Sequence, residues 1–97
     1  MGIKFNREYE DISNELGEAI YKIEGFYNFF DMGFIEFEAL TKEEKVECAK
    51  TLADDIFYGL FAENKIKIGS GSVEYNKQEH IIIIKYEGGS NQIINLI

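Results

Sequence analysis

Proline and tryptophan are absent from this chain, cysteine and histidine occur once each, and Lys and Arg together number ten in 97 residues. Each shortage closes off a class of protein. With Cys48 alone there is no intrachain disulfide, so the core must hold the fold together. One Cys and one His also make no Cys/His cluster of zinc spacing. The longest aliphatic run, Ile81–Ile84, is far below the ~20 apolar residues that cross a bilayer. Met1–Arg7 leads into charged residues with no apolar stretch like a secretory signal, so the expected setting is a reducing cytoplasm. Direct binding to nucleic acid or to an anionic membrane needs clustered bases, and both are disfavoured.

Apolar side chains and acids are plentiful. Hydrophobic residues make up 45 % of the chain, with eight Phe and six Tyr. That is enough for one core, and residues 1–97 are expected to form one domain. The net charge is −8, and it is unevenly placed. Residues 1–63 hold fifteen of the eighteen acids against six bases, while residues 64–97 hold three acids and four bases. Such a surface keeps a protein soluble and favours basic partners.

Periodicity changes near residue 64. Phe5, Tyr9, Ile12, Leu16, Ile20, Ile23 and Tyr27 recur every three or four residues, predicting a helix over about 6–24 that stops at Gly25. Gly17 falls inside it beside the apolar stripe, either for close packing or as a break. Residues 26–40 are ambiguous: Phe34, Glu36 and Glu38 alternate with Ile35 and Phe37 like a strand, whereas a helical turn suits Phe26–Phe30. Thr41 and Glu44 form a capping box, and the stripe Val46, Ala49, Leu52, Ala53, Ile56, Phe57, Leu60 predicts a helix over about 42–62. Thereafter the period is two, predicting strands at about 65–68, 72–76, 79–87 and 92–97 joined by tight turns. Helices before an antiparallel meander define a two-layer α+β fold. The Ile81–Ile84 run suits a central strand covered on both faces, or covered on one by a partner.

Few residues invite chemistry. His80 opens a strand beside a turn, with no partner for acid–base work evident in the chain. Cys48 is flanked by Glu44 and Glu47, the reverse of the positive setting that activates a thiol. Gly69-Ser70-Gly71-Ser72 joins strand to strand and lacks the spacing of a phosphate-binding loop. Paired-carboxylate hydrolysis calls for a deep groove from a larger fold. Adjacent acids such as Asp54 and Asp55 diverge on a helix, which disfavours a metal site. No cofactor, metal or catalytic residue is expected, and the chain reads as a non-enzyme.

The remaining pattern is acidic. Glu8, Asp11, Glu15 and Glu18 follow one line along the first helix, about 5 Å apart along its axis. Glu44, Glu47, Asp54 and Asp55 occupy the face of the second helix opposite its core. Tyr21 and Tyr58 accompany them, and exposed Tyr suits interfaces. A solvated helix face is the plain reading of these residues. The functional one is a partner-binding face that imitates a nucleic-acid backbone and inhibits a basic nucleic-acid-handling protein, as a phage anti-defence protein would. An immunity or antitoxin-like protein that neutralises a toxin shares the same features. A third expectation is a homodimer through the final strand, Asn91–Ile97, whose edge carries no charged side chain.

Overall fold

The computed structural model describes residues 5–97. Helix α1 spans Tyr9–Tyr21, a 3-10 turn Phe26–Phe30, α2 Phe34–Glu38 and α3 Lys42–Gly59. Strands β1 (Lys65–Ile68), β2 (Gly71–Asn76), β3 (Ile81–Lys85) and β4 (Asn91–Asn95) form one antiparallel sheet in the order β1-β2-β3-β4. This is the expected α+β arrangement of helices followed by a meander.

Several boundaries differ, each for a physical reason. The first helix starts at Tyr9 and not near residue 6, because the N–H groups of Asn6 and Arg7 bond to the Leu96 carbonyl at 3.0 and 3.4 Å. Those bonds keep the segment extended against the end of the chain. The helix ends at Tyr21, where i→i−3 bonds from Lys22 and Ile23 tighten the chain and Gly25 then takes φ 77°. Helix α3 stops at Gly59 and not 62, and a looser turn with Phe61 N–H on the Tyr58 carbonyl carries the chain onward. The third strand is shorter than 79–87, since His80 adopts a left-handed φ of 56° and Tyr86 N–H closes a turn onto Ser90. The second strand begins one residue early, at Gly71. The fourth runs over Asn91–Asn95 and not 92–97, although Leu96 N–H still reaches the His80 carbonyl at 3.0 Å.

The strand-like alternation of residues 34–38 is overturned: Phe34–Glu38 is a short helix, and the expected turn at Phe26–Phe30 is 3-10. The Glu36 carboxylate accepts from Gly33 N–H at 3.1 Å, satisfying one of the free donors at its start. The alternation misleads because Phe37 alone of the segment is buried, while Phe34 and Ile35 face out. At α3 the capping box forms as expected, with Glu44 N–H on Thr41 Oγ1 at 3.1 Å and Thr41 N–H on Glu44 Oε1 at 2.8 Å.

One core joins the layers. Ile12, Leu16 and Ile20 of α1 and Leu52, Ala53 and Ile56 of α3 meet Ile68, Val73, Ile82, Ile84 and Ile94 of the sheet, all essentially inaccessible to solvent. Burying an Ile or Leu side chain fully is worth about 1.5–3 kcal/mol. The helices pack with α1 and α3 in contact, and Gly17 permits their approach. A Cβ there would lie 3.3 Å from Lys50 Cγ and 3.5 Å from Lys50 Cα. Close packing is therefore its role; the helix is not broken.

The sheet has one covered and one open face. Register pairs Val73 with Ile84 and Ile82 with Ile94 beneath the helices. The open face carries Lys65, Lys67, Glu74, Lys85 and the half-buried Ile81 and Ile83. Glu74 bridges Lys85 and Lys65, with its Oε2 at 2.9 and 3.7 Å from the two ammoniums. The isoleucine run is thus a central strand covered on one face, with no second layer on the other among the described residues. No helix among them is long and apolar enough to cross a membrane.

Candidate protein-binding surface

The ten acids and tyrosines singled out in the sequence do not share one site. Their positions follow from how α1 and α3 sit together. Tyr9, Ser13 and Gly17 are among the α1 positions that meet α3. Tyr9 Oη and Ser13 Oγ donate to Asp54 Oδ1 at 2.8 and 3.0 Å, and Gly17 meets Lys50. Asp54 therefore spans the helix pair and does not point away from its neighbours. Burial and the nearby Asp54 carboxylate push the Tyr9 phenol above its ordinary pKa, so it stays a neutral donor.

Glu8, just before α1, and Asp11 and Glu18 on it are exposed, while Glu15 is half-exposed and held by Arg7. Arg7 grips Glu15 through both guanidinium nitrogens, one contact being 3.1 Å, and also donates to the Asn95 carbonyl at 2.8 Å. Its hydrogen bonds draw the Glu15 carboxyl below the ordinary range. One member of the acidic line is thereby neutralised and set beside the end of β4. Glu18 borders a cleft between α1 and α3 together with Tyr21, Lys22, Lys42 and Lys50. Tyr21 thus stands among lysines. It is 36 % exposed and rests on Phe26 at 5.9 Å between ring centroids.

Tyr58, 61 % exposed, belongs to an aromatic cluster with Tyr9, Phe57 and Phe61 at 5.6–6.4 Å. Asp55 is exposed on the same helix. Glu44 and Glu47 have a different setting. They stand over an apolar groove of 580 Å³ between α3 and the segment before it, lined by Phe30, Met32, Leu40 and Cys48, with Glu43 and Thr51 completing the α3 wall. Phe29, whose ring meets that of Phe30 at 6.5 Å between centroids, is 48 % exposed, and Phe34 and Ile35 of the same segment are exposed by 64 and 83 %. Large apolar side chains so grouped and so exposed mark interaction surfaces in soluble proteins.

Sequence reasoning missed this groove because it lies in the segment that lacks a clean period. The available signal was composition: residues 26–40 carry five of the eight Phe, more than a single helical turn can bury. Glu38 is excluded from the rim's free charge, since Lys45 Nζ lies 3.6 Å from it and over the Phe37 ring at 5.1 Å. His80 is half-buried in its turn, and Cys48 lines the groove. Among the described residues no group of three His, Cys, Asp or Glu could hold a metal ion. Comparison with protein-family models, with curated proteins and with solved structures finds no match to the chain.

Proposed function

We propose that this protein is a non-enzymatic binding module that sets its acidic helical layer on a basic surface of another protein, a surface that otherwise holds nucleic acid. The observation that carries the reading is uncompensated charge. Among the described residues, Glu15 and Glu38 are the only acids of the helical half in ion pairs. The rest of that half's carboxylates form no ion pair among the described residues. Like charges at helical spacing cost a few tenths of a kcal/mol per pair, and a basic partner would convert that repulsion into attraction. Exposed aromatics beside the acids supply the apolar contact that pure charge lacks.

The partner is tested by affinity capture from the native host, with and without nuclease treatment. The reading expects a protein of high isoelectric point that stays bound after nuclease and is displaced by added nucleic acid. Capture that disappears with nuclease would mean nucleic acid itself is the bridge, and would overturn it. Toxin neutralisation falls within the same chemistry and would be recognised by a toxin as the captured protein.

Pairing of two copies along β4 is a second reading, favoured by its place at the end of the sheet, with no further strand beside it among the described residues, and by Ile93 and Ile97, each 56 % exposed; Arg7 already holds the Asn95 carbonyl at its end. Each copy carries a net charge of −8. Pairing would bring like charges of two copies together, so it would strengthen as salt rises. Docking on a basic surface would weaken.

A further inference from the structure

We infer that the groove between α3 and the Phe26–Leu40 segment is a receptor for an amphipathic, basic helix of the partner protein. The inference rests on the proposed function and names where on the helical layer the partner's apolar anchors go.

The chemistry of the groove selects the occupant. Its floor is apolar, formed by Phe30, Met32, Leu40 and Cys48, and its α3 wall bears Glu43, Glu44 and Glu47. Methionine and phenylalanine make an adaptable apolar surface suited to bulky aliphatic or aromatic anchors. A wall of carboxylates beside it complements Lys or Arg flanking those anchors. Glu43 and Glu47 are one helical turn apart, and neither is in an ion pair among the described residues. Glu44 is partly committed, with one oxygen on Thr41 N–H.

The groove also selects the occupant's conformation. From Glu43 to Thr51, α3 rises about 12 Å, room for two turns of a docked helix at ~1.5 Å per residue. An extended peptide gains its affinity from a free strand edge, and this groove is walled by a helix on one side and by turn and helix on the other. It offers no ladder to extend. A helix brings its own backbone bonds satisfied and presents anchors at i, i+3, i+4 and i+7. Next to the groove, exposed Phe29, whose ring meets that of Phe30, extends the apolar contact outward.

The test uses a fluorescein-labelled peptide of about fourteen residues, near the length at which isolated helices are marginal in water. It carries Leu and Phe at i, i+3, i+4 and i+7 with Lys elsewhere, and a scrambled peptide of the same composition has no apolar face. Anisotropy is read against the whole chain and three variants. Glu43→Lys with Glu47→Lys reverses the wall. Thr51→Trp fills the groove from an exposed position without removing core packing. Glu8→Lys with Asp11→Lys changes charge equally but on α1. Circular dichroism confirms that each is folded.

The amphipathic peptide should bind at least ~10-fold tighter than the scramble, a difference of about 1.4 kcal/mol. The wall reversal and Thr51→Trp should each weaken it about 10-fold or more, and the α1 change by less than ~3-fold. Equal binding of both peptides, or a loss confined to the α1 variant, would overturn the groove while leaving the acidic module intact. Binding of neither peptide would overturn the groove, and the capture experiment then decides the module independently.

Discussion

Replacing Gly69 by alanine should loosen the join between the helical layer and the sheet. Gly69 lies in the β1–β2 turn at φ 51°, and that turn is docked on the α1 C-terminus, with Ser70 N–H on the Glu24 carbonyl at 3.0 Å. An added Cβ would fall 2.5 Å from Glu24 O and 2.7 Å from Gly25 C, where nothing but backbone could yield. Ordinary contact is about 3.5 Å, so the turn and the helix end must part by roughly 1 Å. The left-handed conformation costs an L-residue about 1–2 kcal/mol. Losing the Ser70 hydrogen bond adds about 1 kcal/mol. The sum, about 2–3 kcal/mol, should lower Tm by roughly 8–24 °C in a chain of this size. Thermal unfolding followed at 222 nm measures it. Gly33→Ala is the control: its φ is −84° and its nearest new neighbour is Glu36 Oε1 at 3.6 Å. That change should cost under ~1 kcal/mol. A Gly69→Ala protein melting within a few degrees of the parent would refute the close approach of the two backbones.

Two other predictions concern the sheet. Ile82 is inaccessible under the helices and Ile83, its neighbour, lies on the open face. Ile82→Ala should cost about 2–5 kcal/mol in urea unfolding, and Ile83→Ala about 1 kcal/mol or less; the opposite order would mean the register is slipped by one. Glu74 is held below the ordinary carboxylate range chiefly by the Lys85 ammonium. A depressed folded-state pKa adds stability above the unfolded value, and that stability is lost as pH falls through the folded value. The Glu74 contribution should therefore fade as pH falls from the ordinary carboxylate range down through the depressed folded value, and Glu74→Gln should unfold with a smaller loss of stability over that interval than the parent. An equal loss in both proteins would remove the ion pair from the account.

How far the fold was legible depended on what each element answers to. The α3 start could be read because a capping box is a local device, complete within Thr41–Glu44. The strands could be read because alternation and turn residues are local too. The start of α1 could not, since it is decided by Leu96, at the other end of the chain. Residues 26–40 escaped because their side chains pack in several directions at once, Phe26 and Phe37 inward and Phe34 and Ile35 outward. No single period describes that. For the site, a helical wheel gives the direction of the core but not of a neighbouring helix. Asp54 was therefore read as facing away from the core without its bonds to Tyr9 and Ser13, and Tyr21 without its lysines. The acidity of the helical half was fully legible, whereas the groove beside Glu43 and Glu47 appears only when α3 and the segment before it are placed together.

The central claim, that free carboxylates of the helical layer bind a basic protein surface, is tested most directly by the salt dependence of affinity for the captured partner. Dissociation constants would be measured across rising salt for the parent and for a variant with Glu8, Asp11, Glu43 and Glu47 changed to Lys. The account predicts that the parent weakens at least ~10-fold as screening shortens to about 8 Å and below. The variant should start weaker by ~100-fold or more, with a flat or inverted response. An affinity that is the same for both proteins and indifferent to salt would contradict it.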